Sequence, residues 1–167
     1  MRVANPNDAD ELARAHVLAW QQAYEGIVPD VYLRSLDAVR RAGIWRQILA
    51  TTPPEVLLDT NQEDGIVGFA SFGPARDEDC GLSCAELEAI YYLADYWGSS
   101  RAQSLWQKVC DRLKDQHYSE LVVWVLEANG RAISFYGKSG LAPDGRTRAA
   151  ERGGKELVEI RMAGRIS

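Results

Sequence analysis

Nowhere do the 167 residues hold an apolar run of the length, about 18 or more, that a membrane span needs. The segment Met1 to Asp10 has no charged-then-apolar leader, so neither a secretory signal nor membrane association is expected. Basic residues are in deficit, with 19 Lys and Arg against 24 Asp and Glu, a formal charge of −5. That balance argues against general nucleic-acid binding, which needs a basic face. Cysteine is sparse and odd in number: Cys80, Cys84 and Cys110 make a poor extracellular framework and read as reduced cytoplasmic thiols. Cys80 and Cys84 have a ligand-like spacing, but the only histidines, His16 and His117, complete no pattern with them, so no metal is expected. The dinucleotide pattern GxGxxG and the nucleotide loop GxxxxGK[ST] are missing as well.

What is present is ordinary for a globular protein: 46% hydrophobic and 26% charged residues. A chain of this length buries a full core without disulfides or metals. No repeat, linker or low-complexity tract divides it, so residues 1–167 read as one domain.

Periodicity supplies the elements. Arg2 to Ala4 reads as a short strand. Asn7 reads as the cap of a helix carrying Leu12, Ala13, His16, Trp20, Ala23 and Tyr24 at helical spacing, ended by Gly26 and Pro29. A second helix is expected over Val31 to Ala50, with a break near Gly43 and a stop at Pro53-Pro54. Val56 to Asp59 and Ile66 to Phe72 read as a hairpin. Leu82 to Leu93 reads as a long strand, with Cys84, Glu86, Glu88, Ile90 and Tyr92 on one face and Ala85, Leu87, Ala89, Tyr91 and Leu93 on the other. Ala102, Leu105, Trp106, Val109, Cys110 and Leu113 form the apolar stripe of the clearest helix. The run Leu121 to Leu126 suits a strand buried on both faces. A short helix over Arg131 to Lys138 and strands around Ala142 to Arg148 and Leu157 to Met162 close the chain. The expected class is α/β: a mixed, mostly antiparallel sheet of about seven strands with flanking helices and one strand–helix–strand crossover.

The chemistry concentrates between Glu86 and Leu113. The turn Tyr96-Trp97-Gly98-Ser99-Ser100-Arg101-Ala102 opens a helix, where free backbone N–H groups and the helix dipole favour a phosphate. Small residues let such a ligand approach, although the same turn also suits a plain helix cap.

In order and spacing, several motifs resemble the GNAT superfamily of acetyl-CoA-dependent N-acetyltransferases. They are Glu86-Leu87-Glu88-Ala89-Ile90-Tyr91-Tyr92-Leu93, the loop through Gly98 and Ala102, the strand Val123 to Leu126 followed by Asn129, Arg131-Ala132-Ile133-Ser134-Phe135-Tyr136, and Gly140-Leu141. The resemblance covers nearly the whole chain and implies a splayed parallel strand pair at the cofactor site. Departures lie in the loop: Trp97 stands where the family usually has Gln or Arg, Ser100 replaces a glycine, Arg101 an apolar residue, and Ala94 the usual proline.

The resemblance implies acetyl-CoA, or a related short acyl-CoA, as co-substrate. It implies backbone amides of Ile90, Tyr91, Tyr92 and Leu93 for the acetyl and pantetheine carbonyls, and Gly98, Ser99, Ser100, Arg101, Ala102 and Gln103 around the pyrophosphate. Asn129 would cap a helix and orient the cofactor arm. Arg101 is expected to reach a phosphate or to leave for solvent, because a buried unpaired guanidinium is costly. An amine with a pKa near 10.4 is almost wholly protonated at neutral pH, so a base is needed. Glu86 and Glu88 are the candidates, the former matching the position of a strand carboxylate used by family members. Tyr136 matches the usual acid for the departing thiolate. His16 reads as a core or pocket residue, and Trp20 and Tyr24 as core residues that could lie over the acceptor. Arg146, Arg148, Arg152 and Lys155 read as a solvated hairpin. The acceptor, a small-molecule or peptide amine, is left open, and a homodimer is compatible with the sequence. A non-catalytic module that binds acyl-CoA or a protein partner is the alternative; it would bind acetyl-CoA yet release no thiol with any amine.

Overall fold

A computed structural model describes residues 1–51 and 54–166, so the stop expected at Pro53 lies outside the described residues. The strands are β1 (Arg2–Val3), β2 (Glu55–Asn61), β3 (Gly65–Pro74), β4 (Cys84–Tyr92), β5 (Glu120–Leu126), β6 (Ala142–Arg152) and β7 (Lys155–Arg165). They form one sheet in the order β1-β2-β3-β4-β5-β7-β6. Every pairing is antiparallel except β4 with β5, as the right-handed crossover between them requires.

Among the described residues, five α-helices flank the sheet: α1 (Ala9–Ala23), α2 (Asp30–Arg34), α3 (Ala38–Leu49), α4 (Arg101–Asp115) and α5 (Gly130–Lys138). Helices α4 and α5 set Leu105, Trp106, Val109, Leu113 and Tyr136 against Phe72, Leu87, Leu121, Val123 and Met162. On the opposite face, α1 and α3 pack Leu12, Ala13 and Trp45 on Val56, Leu58 and Phe69. Burying each of the larger side chains contributes about 1.5–3 kcal/mol.

Three expectations need correction. The cap expected at Asn7 is at Asn5, and it caps a 3-10 turn, Pro6–Asp8, that leads into α1: Asn5 Oδ1 accepts from Asn7 N–H at 3.0 Å, and Asp8 Oδ2 accepts from Asn5 N–H at 2.8 Å. The second helix is two helices. They part at Ser35–Asp37 because Asp37 Oδ1 accepts from Val39 N–H at 2.7 Å and starts a new helix. Gly43, where the break was expected, lies inside α3.

The third correction concerns β4. Ser71 pairs with Ala89 and Phe72 with Leu87, which leaves Glu88 as an extra residue, a β-bulge. Alternation therefore changes phase. Ala85, Leu87, Ile90 and Tyr92 all belong to the α4 side, and Ala89 and Tyr91 to the other. The Tyr92 ring lies across Gly68, where a Cβ would sit 2.4 Å from a ring carbon, so that position must be glycine.

Candidate active site

Strands β4 and β5 pair only from Cys84 to Glu86 against Glu120 to Val122. Past the bulge they diverge. The wedge between them is an open cleft of about 920 Å³, bordered by Ile90, Trp97, Gly98, Trp124, Asn129 and Tyr136. This is the splay that the resemblance implied.

Backbone polarity on the β4 side follows from one bond. Leu93 N–H donates to Val67 O at 3.0 Å, so that amide is used within the sheet. By the alternation of an antiparallel strand, Tyr91 N–H also faces β3, and Ile90 and Tyr92 N–H face the cleft. Of the four amides expected there, Ile90 and Tyr92 are available. Leu93 does not border the cleft, and Tyr91 contributes its ring.

At the outer end, Gly98 takes φ +74°, a left-handed turn that glycine allows at no steric cost. The N–H groups of Ser100, Arg101, Ala102 and Gln103 have no acceptor among the described residues. They form the open N-terminus of α4. The side chains do little here: Ser99 Oγ donates to Tyr96 O at 2.6 Å, Ser100 makes no side-chain cap, and Gln103 is exposed. The loop thus offers its backbone.

Arg101 follows neither expected course. Its Nε and Nη2 donate to Asp59 at 2.9 and 3.1 Å, and Nη2 also reaches Thr60 O at 3.2 Å. Asp59 is buried and accepts in addition from Tyr92 Oη at 2.9 Å. Burial and the Asp59 carboxylate raise the Tyr92 pKa, so its phenol stays a donor. Arg101 therefore ties α4 to β2 and β4.

Trp97 donates its indole N–H to Tyr92 O at 2.9 Å. The Arg131 guanidinium stands over its ring, 3.3 Å from the centroid. Burial lowers the pKa of Arg131 from its ordinary value. A cation thus reaches the cleft from α5, opposite the loop. Asn129 is buried on the same side and caps α5 through Ala132 N–H at 3.2 Å.

Tyr136 is buried against Trp106 and Phe135, and its hydroxyl has no partner among the described residues. Burial, with a smaller contribution from Tyr24, raises its pKa, so the phenol is protonated at neutral pH.

Glu88, Tyr24, Tyr91 and Trp124 border the cleft and also a second, more polar chamber of about 670 Å³. Tyr24 and Tyr91 hydroxyls meet at 2.7 Å. Glu86 is held by Arg76 through two bonds of 3.1 Å. Glu88 accepts from Ser71 Oγ at 2.9 Å and lies 3.4 Å from the same guanidinium. The two carboxylates do share one chamber, although Glu88 sits at the bulge and not in regular alternation.

His16 is buried among Trp20, Trp45, Phe69 and Tyr91, and its Nδ1 accepts from Trp45 Nε1 at 3.1 Å. Burial, aided by the Arg41 charge, lowers its pKa to about 3, which keeps it neutral. As expected of a solvated hairpin, Arg146, Arg148 and Lys155 are exposed and Arg152 is half-buried, yet each has a partner. Arg146 pairs with Asp79 at 2.9 Å, and Lys155 Nζ donates to Ile27 O at 2.8 Å. Arg148 and Arg152 reach Glu159 at 2.6 and 3.8 Å and border the inner chamber. Arg76, Trp124, Arg131 and Glu159 were absent from the expected site. Only Trp124, one bulky aromatic in a run of aliphatics, carried a signal.

Outside the cleft, ligand atoms of Asp77, Asp79 and Cys80 lie within 4.8 Å of one another. The Arg161 guanidinium already occupies this cluster, bonding Asp77, Asp79 and Asp144 at 2.6–2.9 Å.

The sequence profile of the acetyltransferase (GNAT) family matches residues 17–141, a span that contains β2 to β5 and both cleft helices. The chain belongs to the GNAT family. Curated relatives agree with this assignment. The uncharacterized N-acetyltransferase YuaI of Bacillus subtilis is 32% identical over 136 residues, 81% of this chain and 76% of the relative. The uncharacterized N-acetyltransferase Rv2669 of Mycobacterium tuberculosis is 31% identical over 141 residues, 83% of this chain and 85% of the relative. Among solved structures, that of yncA from Salmonella typhimurium with its cofactor acetyl-CoA superposes with a TM-score of 0.73 at 18% identity, covering 99% of this chain and 92% of that one. The splayed β4/β5 cleft is thus part of a GNAT fold, and no helix among the described residues is long and apolar enough to cross a membrane.

Proposed function

We propose that this GNAT protein transfers the acetyl group of acetyl-CoA directly to a primary amine, with the thioester in the splayed cleft and the amine entering from the inner chamber. The whole reaction belongs to one domain working in the cytoplasm. The observation that carries this reading is the alignment of unpaired donors along the cleft. Ser100 to Gln103 N–H groups lie at its mouth, and Ile90 and Tyr92 N–H groups lie along its β4 wall. A diphosphate at the first set and an extended arm carrying carbonyls at the second would satisfy both. Arg131, braced on Trp97, supplies the positive charge that the loop lacks at position 97.

Glu88 is the better base of the pair. It borders both cavities, whereas both oxygens of Glu86 are committed to Arg76. Glu88, directly or through one water, takes a proton from the bound ammonium. The amine nitrogen then attacks the thioester carbonyl, a C–N bond forms, and the C–S bond breaks. An Ile90 or Tyr92 amide aimed at the carbonyl oxygen stabilises its developing negative charge. Tyr136, kept protonated by burial, gives its proton to the departing sulfur, and the second proton that the nitrogen sheds on becoming an amide restores the phenol by way of solvent. Glu86 holds Arg76 between the two carboxylates and so limits their repulsion.

The test is acetyl-CoA titration calorimetry followed by mass spectrometry of products from an amine library. Saturable binding with acetylated products is the expected result. Binding without thiol release across the library makes the protein a non-catalytic binder. No binding removes the reading altogether.

A further inference from the structure

The inner chamber carries an internal charge separation that a simple amine would not need. At its β4 end, one guanidinium, Arg76, faces two carboxylates, Glu86 and Glu88, leaving an excess negative charge. At its β6/β7 end, two guanidiniums, Arg148 and Arg152, face one carboxylate, Glu159, leaving an excess positive charge. Arg148 contacts Glu159 through Nε, and no bond is made by its two terminal nitrogens among the described residues. Its guanidinium stands 4.3 Å from the centroid of the Trp124 ring. That stacking carries a charge rooted on β6 over β5, the strand beside β4. Adjacent strands lie about 4.8 Å apart, and further where they splay. The positive end thus reaches the strand next to that of Glu88 and does not stay at the far edge of the sheet.

We infer that the acceptor is an amphoteric amine, a primary amine that also carries a carboxylate, as in a free amino acid. This inference rests on the acetyl-transfer reading of the site. The amine lies at Glu88 beside the thioester, and the carboxylate lies on the free nitrogens of Arg148 with Arg152 behind it. The floor between them is aromatic, formed by Tyr24, Tyr91 and Trp124. A polyamine fits poorly, because its second ammonium would meet the excess positive charge. Arg148 and Arg152 lie four residues apart on one strand and so share a face, and Glu159 is the cross-strand partner of Arg148. The hairpin thereby presents both cations to the chamber while leaving them partly open to solvent.

The experiment compares matched acceptors under saturating acetyl-CoA, with thiol release as the readout. Each of the twenty amino acids is run against its amide and its decarboxylated amine, lysine against cadaverine among them. For at least one set, the acid should exceed both partners in kcat/KM by about tenfold to a hundredfold, mainly through KM, the range of a charge-assisted hydrogen bond. In Arg148→Gln and Arg152→Gln that ratio should fall toward one, with acetyl-CoA affinity reporting that each variant is folded. Amides, simple amines or diamines used as well as the acids would overturn the inference and leave acetyl transfer standing, as would a ratio indifferent to both variants. A wild type that binds acetyl-CoA but acetylates nothing overturns acetyl transfer itself, and the inference with it.

Discussion

Arg101→Ala separates two roles that sequence and structure assign differently to one side chain. The substitution removes two bonds to the Asp59 carboxylate, at 2.9 and 3.1 Å, and one to the Thr60 carbonyl. Asp59, whose side chain is 4% exposed, is left with Tyr92 Oη as its remaining partner. Breaking a fully buried pair from one side costs about 3–5 kcal/mol. The Arg101 side chain is 36% exposed, so water recovers part of that, and a loss of about 2 kcal/mol is expected. For a chain of this size the loss corresponds to a fall in Tm of about 4–8 °C. Calorimetric unfolding measures it. Arg101→Ala/Asp59→Asn should regain part of the loss, because no unpaired carboxylate is then buried. An unchanged Tm, together with a salt-sensitive drop in acetyl-CoA affinity, would refute the tie and return Arg101 to a phosphate.

Tyr136→Phe should lower kcat by about 10²–10⁴ with little change in acetyl-CoA affinity, and single-turnover kinetics would show whether the chemical step is the one slowed. Glu88→Gln should lower activity most at low pH, where amine deprotonation is hardest. Glu86→Gln should act mainly by loosening Arg76; identical pH–rate profiles for both variants and the wild type would remove both carboxylates from proton transfer. His16 is neutral in the folded state down to about pH 3 but takes a proton near pH 6.5 when unfolded. Stability from this group is thus present above about pH 6.5 and is lost as pH falls, by about 2 kcal/mol between pH 6.5 and 5. His16→Gln should flatten that part of the stability profile measured by urea unfolding, and an unaltered slope would show that His16 is not its source.

The sheet and the crossover were legible because each rests on local pattern: the stripe from Ala102 to Leu113, the apolar run from Leu121 to Leu126, and the long strand before them; the splay came only with the family resemblance. What sequence could not supply were features that arise between strands. A bulge at Glu88 is invisible in a chain whose alternation looks regular, since it depends on how Ser71 and Phe72 pair opposite. Arg101 looked unpaired because its partner, Asp59, lies 42 residues away on another strand. The hairpin arginines are largely solvated as read, but their partners were hidden because Trp124 and Glu159 come from different strands. Within the candidate site, the placement of Tyr136, Asn129 and the loop at the cleft followed from motifs that resemble the family's. The division of labour between Glu86 and Glu88 was not, because it depends on where Arg76 falls.

The extra residue at Glu88 also makes β4 unequally tolerant of changes in length. On its Cys84 side the strand is clamped between two neighbours, and on its Tyr92 side it has one. Deleting any single residue between Leu87 and Tyr92 would restore an even count. It would also turn everything downstream by half a step, moving Tyr92 away from Gly68 and exchanging the amides that face the open side for those that face β3. Substitutions in this segment are graded in their effects, whereas a one-codon deletion is all or nothing. Length changes in the connection from Ala75 to Ser83 have a different cost: they would move Arg76 from Glu86 and Asp77 and Asp79 from Arg161 without altering the phase of β4.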